Sequence, residues 1–557
     1  MAEEDPGLSR KIARAFSGRF PWRACAGPGS PPTGGGGSPR WLHFWLALCL
    51  PVILTTALLL LGACVRVERE PPDPLAPYRL AMREGFEADL MALESAPRYA
   101  LDITLDPGKE ILTGTAQIRV VNYSQEPWRS LVFRLYPMLE QYGGQVTLFS
   151  VLVDGFPANY VYMADNTAIR IDLKTPLPGG RALTVDFAWR LNIPVWSDTP
   201  QVYALLGRSQ GMTSLPLFYP SLAVYQPGPV MGAGRWWTEI GSVRGDAAFN
   251  VASLFVVTAT LPADEIPVAT GSLITATQVA PDRRQYVWVT GPVREFVLHM
   301  SPLFRQASEE AYGVQVTSYW LPGQEAAGRA ALQYGVSALR IYSDLFAPYP
   351  FRTMSLAPAP LTYRGMEYPQ VNLLGVELYG RYISDLEILV AHEVAHQWWY
   401  QIVHNDPVNA PWLDEALAEY AVKLYLEELY GSTRANLLQR QRWQAPVDLL
   451  VEQGRDAPLD RPVASFDDNR QYETVIYAKG ALLYDQIRQT VGDRRFRRFL
   501  REYLADHRYG IVDTATWQDA LQALQNPSLE TLTANWVTGP GTPRPTPTPV
   551  GPLTGRR

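Results

Sequence analysis

Ser384-Asp385-Leu386-Glu387-Ile388-Leu389-Val390-Ala391-His392-Glu393-Val394-Ala395-His396 is the stretch on which the reading of this chain turns. It ends in the pattern H-E-x-x-H. Residues four apart share one face of a helix, so His392 and His396 can aim two imidazoles at one metal ion. Glu393 is then carried beside the ion, within reach of a proton on a water there. A hydrolytic zinc site takes three protein ligands and keeps a fourth position open. Trp412-Leu413-Asp414-Glu415 follows after a break, and Glu415, nineteen residues past His396, is the candidate third ligand. One Zn2+ ion is the expected cofactor.

The local signals predict how these residues are held. Ser384 and Glu387 have the spacing of a capping box, which starts a helix expected to run to about Val403. His404–Ala410 reads as a loop. Pro411 suits the first turn of a second helix that ends before Gly431, so Glu415 faces the two histidines from that helix's start. Glu419, one turn further along the same face, has two readings: an acceptor of a hydrogen bond from a ligand histidine, or a plain surface residue. His299, His404 and His507 lack ligand spacing.

Composition narrows the rest. At 557 residues the chain exceeds one core, and 47% apolar with 19% charged residues is globular. The net charge of −6 and the lack of a basic block exclude a nucleic-acid partner. Cys25, Cys49 and Cys64 all precede the main body, which therefore forms no internal disulfide and no thiolate metal site.

Residues 1–40 form a basic, Gly/Pro/Ser-rich leader, expected to be flexible and cytoplasmic. Residues 41–65 contain no Asp, Glu, Lys or Arg, and a helix of that length spans a bilayer core of about 30 Å. The preceding basic residues put the body on the outer face of the cell membrane. Leu61-Gly62-Ala63-Cys64 offers a second route to that location, because it resembles a lipobox with Cys64 as the lipidated residue. Residues 66–97 read as a stalk with a short helix over Tyr78–Leu93. Alternating strands run from Tyr99 to about Leu303, separated by turn signals such as Asp106-Pro107-Gly108. They predict an all-β, sandwich-like domain over residues 98–305 in which Trp236-Trp237 are core residues. Helical spacing dominates after Glu325, interrupted by strand-like runs at Met354–Pro360 and Val371–Leu374. An edge strand there, beside a metal helix, would suit an extended peptide. Residues 539–557 form a Pro/Thr-rich, disordered tail.

H-E-x-x-H, eighteen residues and then Glu in Trp-Leu-Asp-Glu-Ala resembles the gluzincin aminopeptidases of the aminopeptidase N family. Gly365-Met366-Glu367 resembles the end of that family's G-x-M-E-N motif. Val475-Ile476-Tyr477-Ala478-Lys479-Gly480 resembles the segment that holds its catalytic tyrosine. Val132-Phe133-Arg134-Leu135-Tyr136-Pro137 is similar to a strand of its amino-terminal domain. The resemblance extends from about Tyr99 to Val537. It departs at Arg364 for the first Gly of G-x-M-E-N, Tyr368 for its Asn, and Asp414 for the Asn before the ligand Glu. The large carboxyl-terminal helical domain of many members is also missing, so a more open cleft is expected.

The resemblance implies a multidomain α+β chain: the membrane segment, the all-β domain, then a thermolysin-like, mostly helical zinc peptidase domain with a small mixed sheet over residues 306–538. It implies an aminopeptidase acting on peptides with a free amino terminus. In that reading His392, His396 and Glu415 hold zinc, Glu393 is the general base and the Tyr477 hydroxyl stabilises the oxyanion. Glu367 pairs with the substrate ammonium, flanked by Met366 and Gly365. A zinc endopeptidase on the same core, and a catalytically silent peptide-binding surface protein, are the alternatives.

Overall fold

The computed structural model describes residues 73–196, 205–230, 232–361 and 364–539. Met1–Ala76 and Pro77–Arg557 are separate compact units, and of the first only a turn near its end is described. The leader 1–40, the expected membrane segment 41–65 and the tail beyond Gly539 lie outside the described residues. Among the described residues no helix is long and apolar enough to cross a membrane.

The amino-terminal half of the larger unit is β-rich because its sequence alternates. In β1 (Arg98–Asp106) Tyr99, Leu101, Ile103 and Leu105 are buried, while Ala100, Asp102 and Thr104 face out. β1 pairs antiparallel with β2 (Ile111–Val121), which pairs with β3 (Ala182–Asn192). On its other edge β1 runs parallel to β4 (Leu254–Pro262). These four are the centre of an eight-stranded sheet. A four-stranded sheet containing Trp128–Arg134 packs against it, with the Phe133 and Phe187 rings 4.9 Å apart. Trp237 is buried and donates its indole N–H to Asp406 at 3.0 Å, as a core residue.

The second half is a five-stranded sheet with helices. Its strand order is Arg305–Ala311, Val314–Trp320, β5 (Thr353–Ala359), β7 (Val371–Gly375) and, at the edge, β6 (Gly365–Tyr368). Helix α1 (Glu325–Leu345) packs on this sheet and on α2 (Leu386–Ala395), where the Tyr342 hydroxyl donates to the Ala391 carbonyl at 3.0 Å. Helix α3 (Trp412–Tyr430) lies against α2 and stops at Gly431, whose φ of 78° favours a residue without Cβ. α4 (Gly480–Val491) packs closely on α3: a Cβ on Gly480 would come within 2.4 Å of the Ala416 Cβ.

Three local expectations are corrected. The capping box does not form. Ser384 sits in a short 3-10 turn, α2 begins at Leu386 without a side-chain cap, and Glu387 points away from its own backbone. Its carboxylate accepts from Tyr425 at 3.2 Å, Tyr430 at 2.5 Å and Arg434 at 2.8 Å, and these partners on the following helices outcompete the local cap. The helix also ends at Ala395, not Val403. Trp398 and Trp399 are both buried, Trp398 donates to the Ala347 carbonyl, and Trp399 packs edge-on against Phe346. The buried Arg294 guanidinium collects the Gln401, Ile402 and Gly510 carbonyls and fastens the non-helical run to the β-rich half. Finally, the stalk expected over 66–97 does not extend to Pro97 as a free spacer. Residues 77–97 belong to the compact unit, with Leu90 fully buried, and the expected helix is split into Tyr78–Ala81 and Glu87–Ala92 around Gly85 (φ 90°).

His299 joins the two halves. It lies fully buried on the strand Val297–Ser301, with Nδ1 2.7 Å from the Ser214 hydroxyl and Nε2 donating to the Pro358 carbonyl of β5 at 2.9 Å. Burial pushes its pKa down to about 4, against the carbonyl bond that favours the proton. The unfolded chain takes up this proton below about 6.5, the folded chain only near 4, so stability falls as pH drops through that window. The contribution lost is on the order of 3 kcal/mol at the acid end. Urea unfolding from pH 7 to pH 4 should show a shallower acid-side decline for His299→Gln than for the native chain, and parallel declines would refute the assignment.

Candidate active site

α2 and α3 bring three donor atoms to one point. His392 Nε2 lies 3.1 Å from His396 Nε2 and 3.2 Å from Glu415 Oε2, and His396 Nε2 lies 3.2 Å from the same oxygen. The helical repeat brings the two imidazoles to one face, where they meet edge-on, and the break after α2 lets α3 present Glu415 from its first turn. A tetrahedral ion with bonds of about 2.0–2.2 Å spaces its donors about 3.3–3.6 Å apart, so this near-equilateral triangle, slightly tighter than that, fits Zn2+ with one face open. The chemistry of the set, two neutral imidazoles and one carboxylate, fits as well. Burial opposes the charge on Glu415, but the two histidine bonds overcome it and hold the carboxyl well below the ordinary range.

The outer nitrogens of both histidines are engaged, which fixes the rings. His392 Nδ1 lies 3.2 Å from Glu419 Oε2, and Glu419 Oε1 accepts the Trp443 indole N–H at 2.6 Å. His396 Nδ1 lies 3.0 Å from the Trp399 carbonyl, so the early end of α2 also serves to orient a ring. Glu419 is thus buried at the site. His404 is buried too, but it sits against Phe249 and the Tyr400 carbonyl, apart from the triangle.

Glu393 lies beside the triangle in a cleft of about 610 Å³, and its Oε2 has no hydrogen-bond partner among the described residues. Burial pushes its carboxyl up to about 7, against the pull of His392 and His396. Gly365 of the edge strand β6 runs directly over it; a Cβ there would fall 2.0 Å from Glu393 Oε1. Tyr477 reaches the site from a turn of wide, π-type hydrogen bonding, Thr474–Lys479, a geometry common at functional positions. Its hydroxyl donates to Glu415 Oε1 at 2.5 Å and its ring lies over His392.

Glu367 and Met366 follow Gly365 along β6. Two glutamines just past α2 pin this edge strand: Gln401 donates to the Glu367 carbonyl at 2.7 Å, and Gln397 to the Tyr368 carbonyl at 3.1 Å. The Glu367 carboxylate is buried, its Oε1 has no partner among the described residues, and the Asp246 carboxyl acts on it. Burial raises both carboxyls well above the ordinary range, and each raises the demand for a cation or shared proton between them. Met366 is buried and lines the same cleft.

Asp246 is the site residue that sequence reasoning missed. It comes from an irregular stretch of the β-rich half, Arg244-Gly245-Asp246, where neither periodicity nor a motif marks it. The three departures from the aminopeptidase N pattern also have places. Asp414 is buried, accepts from Asn405 Nδ2 at 2.8 Å and is pushed well above the carboxylate range by burial. Arg364 pairs with Glu473 on the opposite wall of the cleft. Tyr368 is buried and packs inward.

Comparison with known proteins agrees with this arrangement. Residues 331–536 match the model described as Peptidase family M1 domain. Aminopeptidase M1-B of Oryza sativa subsp. japonica is 23% identical over 489 residues, covering 83% of this chain and 52% of that protein. Aminopeptidase M1-C of the same plant is 23% identical over 252 residues, 42% of this chain and 27% of that one. The chain therefore spans about half, or less, of the length of these curated relatives. An M1 zinc metallopeptidase from Deinococcus radiodurans has the same fold, with a TM-score of 0.62 at 20% identity, over 82% of this chain and 96% of that one. A variant of it bound to the substrate Tyr-Ser-Ala matches with a TM-score of 0.60 at 20% identity, over 82% and 96%. Residues 331–536, which carry the paired histidines and the glutamate of the triangle, are thus similar to the domain of peptidase family M1.

Proposed function

We propose that the chain is a zinc aminopeptidase that removes the first residue of peptides with a free amino terminus. The observation that carries this reading is the triangle of His392, His396 and Glu415 donors within 3.2 Å of one another, open towards Glu393 and the edge strand. When bound there, zinc polarises the scissile carbonyl and lowers the pKa of a bound water to about 7. His392, His396 and Glu415 hold the ion, and Glu419 and the Trp399 carbonyl keep the rings in place. Glu393 takes the proton of the attacking water and hands it to the leaving amine. The Tyr477 hydroxyl, now on Glu415, donates to the carbonyl oxygen as charge builds on it.

Exopeptidase action rests on Glu367 and Asp246. A substrate ammonium between the two carboxylates supplies the positive charge that their burial demands. It leaves the first peptide bond opposite Glu393, because Gly365, two residues from Glu367 on β6, lies against that side chain. The tripeptide Tyr-Ser-Ala bound by the Deinococcus relative supports the same class of substrate. The apolar run of residues 41–65 supports a further part of this proposal, that the catalytic body is tethered to the outer face of a membrane, by that span or by lipid on Cys64.

Glu393→Gln should lower kcat by about 10²–10⁴-fold and Tyr477→Phe by about 10²–10³-fold, each retaining one zinc per chain by metal analysis. Full activity of either variant, or of the chelator-stripped native chain, would sink the mechanism. Hydrolysis of a free peptide should exceed that of its N-acetylated form by at least about tenfold, and Glu367→Ala should erase the difference. Equal cleavage of both forms by the native chain would instead identify an endopeptidase. On intact cells the body should be open to added protease, and labelled palmitate on the native chain but not on Cys64→Ser would select lipidation over a span; a protected body contradicts the tether.

A further inference from the structure

The cleft has a direction. Glu367 and Gly365 are two residues apart on β6, and Gly365 lies against Glu393. A peptide whose amino group meets Glu367, and whose first bond reaches Glu393, must run antiparallel to β6, past Gly365 and then Arg364. Arg364 therefore stands on the side its far end runs toward, and Arg442 and Arg470 line the same cleft. Arg364 is already paired with Glu473. The Arg442 and Arg470 side chains make no hydrogen bond or ion pair with any described residue.

Arg442 is the stronger of the two. It is half-buried beside Trp443, and its Nη1 is shut off from solvent without an acceptor. Its charge acts on Glu419 across the cleft wall, but Glu419 is spent on His392 and Trp443 and accepts nothing from it. A guanidinium held partly out of water with its donors unused lacks an anionic partner. Arg470, on the short helix Asn469–Glu473, extends the cationic wall towards the cleft mouth. The cleft thus holds carboxylates where the amino group binds and two guanidinium groups without an anionic partner among the described residues.

The geometry points to a carboxylate-binding subsite on the leaving-group side of the cleft, formed by Arg442 with Arg470. Resting on the aminopeptidase reading above, it assigns the preferred substrates as short peptides that carry a carboxylate one or two residues past the scissile bond. That carboxylate is either the free carboxyl terminus of a di- or tripeptide or an acidic side chain. The planar fork of arginine matches a carboxylate in two parallel bonds, and capture there holds the leaving amine in place.

The test compares three peptides: Ala-Ala-Ala as the free acid, the same peptide as its amide, and Ala-Glu-Ala amide. For the native chain KM for the free acid should be lower than for the amide by about tenfold or more. In the Arg442→Gln/Arg470→Gln double variant that ratio should approach one. Recovery of tight binding by Ala-Glu-Ala amide assigns the preference to side-chain carboxylates as well; no recovery assigns it to the chain terminus. An acid-to-amide ratio near one in the native chain, or a ratio unchanged in the variant, overturns the subsite. The shift in melting temperature that each peptide produces is measured in parallel. If none of the three peptides is hydrolysed, the aminopeptidase reading fails, whereas a larger shift with the acid than with its amide, lost in the variant, still establishes the subsite.

Discussion

Three lone pairs within 3.2 Å of one another, inside a protein, repel unless a cation stands between them. Much of the catalytic half serves to hold them there. α2 supplies two donors by its repeat and α3 supplies the third, and both helices must be fixed against the repulsion. α1 clamps α2 through Tyr342, α4 presses on α3 through the close approach at Gly480, and Glu387 ties α2 to the far end of α3 through Tyr425 and Tyr430. The histidine rings are then locked from behind by Glu419 and the Trp399 carbonyl.

The same region also registers the edge strand β6 against the triangle of donors. Gln397 and Gln401 stand just past the end of α2 and grip the backbone of β6. A helix continued to Val403 would rotate these amides away from the strand. The early break therefore does two things: it supplies the carbonyl that orients His396, and it aligns the edge on which Glu367 is mounted.

The metal helix, the second helix and the β-rich half were legible because each rests on local rules. His392, His396 and Glu415 follow from helical spacing and a short loop, and the strands follow from alternation of the kind seen in β1. What escaped was set by distant partners. The Ser384–Glu387 spacing reads as a cap, yet Glu387 finds phenols and a guanidinium on other helices. The Trp398-Trp399 pair reads as helix, yet the aromatic packing around Phe346 and the carbonyls gathered by Arg294 bend it away. Asp246 has no local signature, since only the docking of the two halves brings it to Glu367. Arg364 departs from the motif it resembles, and only Glu473 across the cleft explains what it holds.

Gly365 illustrates how a reactive group can dictate its neighbour's identity. The residue is not among those with positive φ, so no torsional demand reserves the position for glycine. The reservation is volumetric, because the space a methyl group would fill is already the space of the Glu393 carboxylate. Drift along this strand is therefore unequal. Positions 364 and 368 can exchange one chemistry for another and leave the reacting groups where they are, as the arginine and tyrosine found there illustrate. Between them, any gain of a side chain at 365 displaces the Glu393 carboxylate.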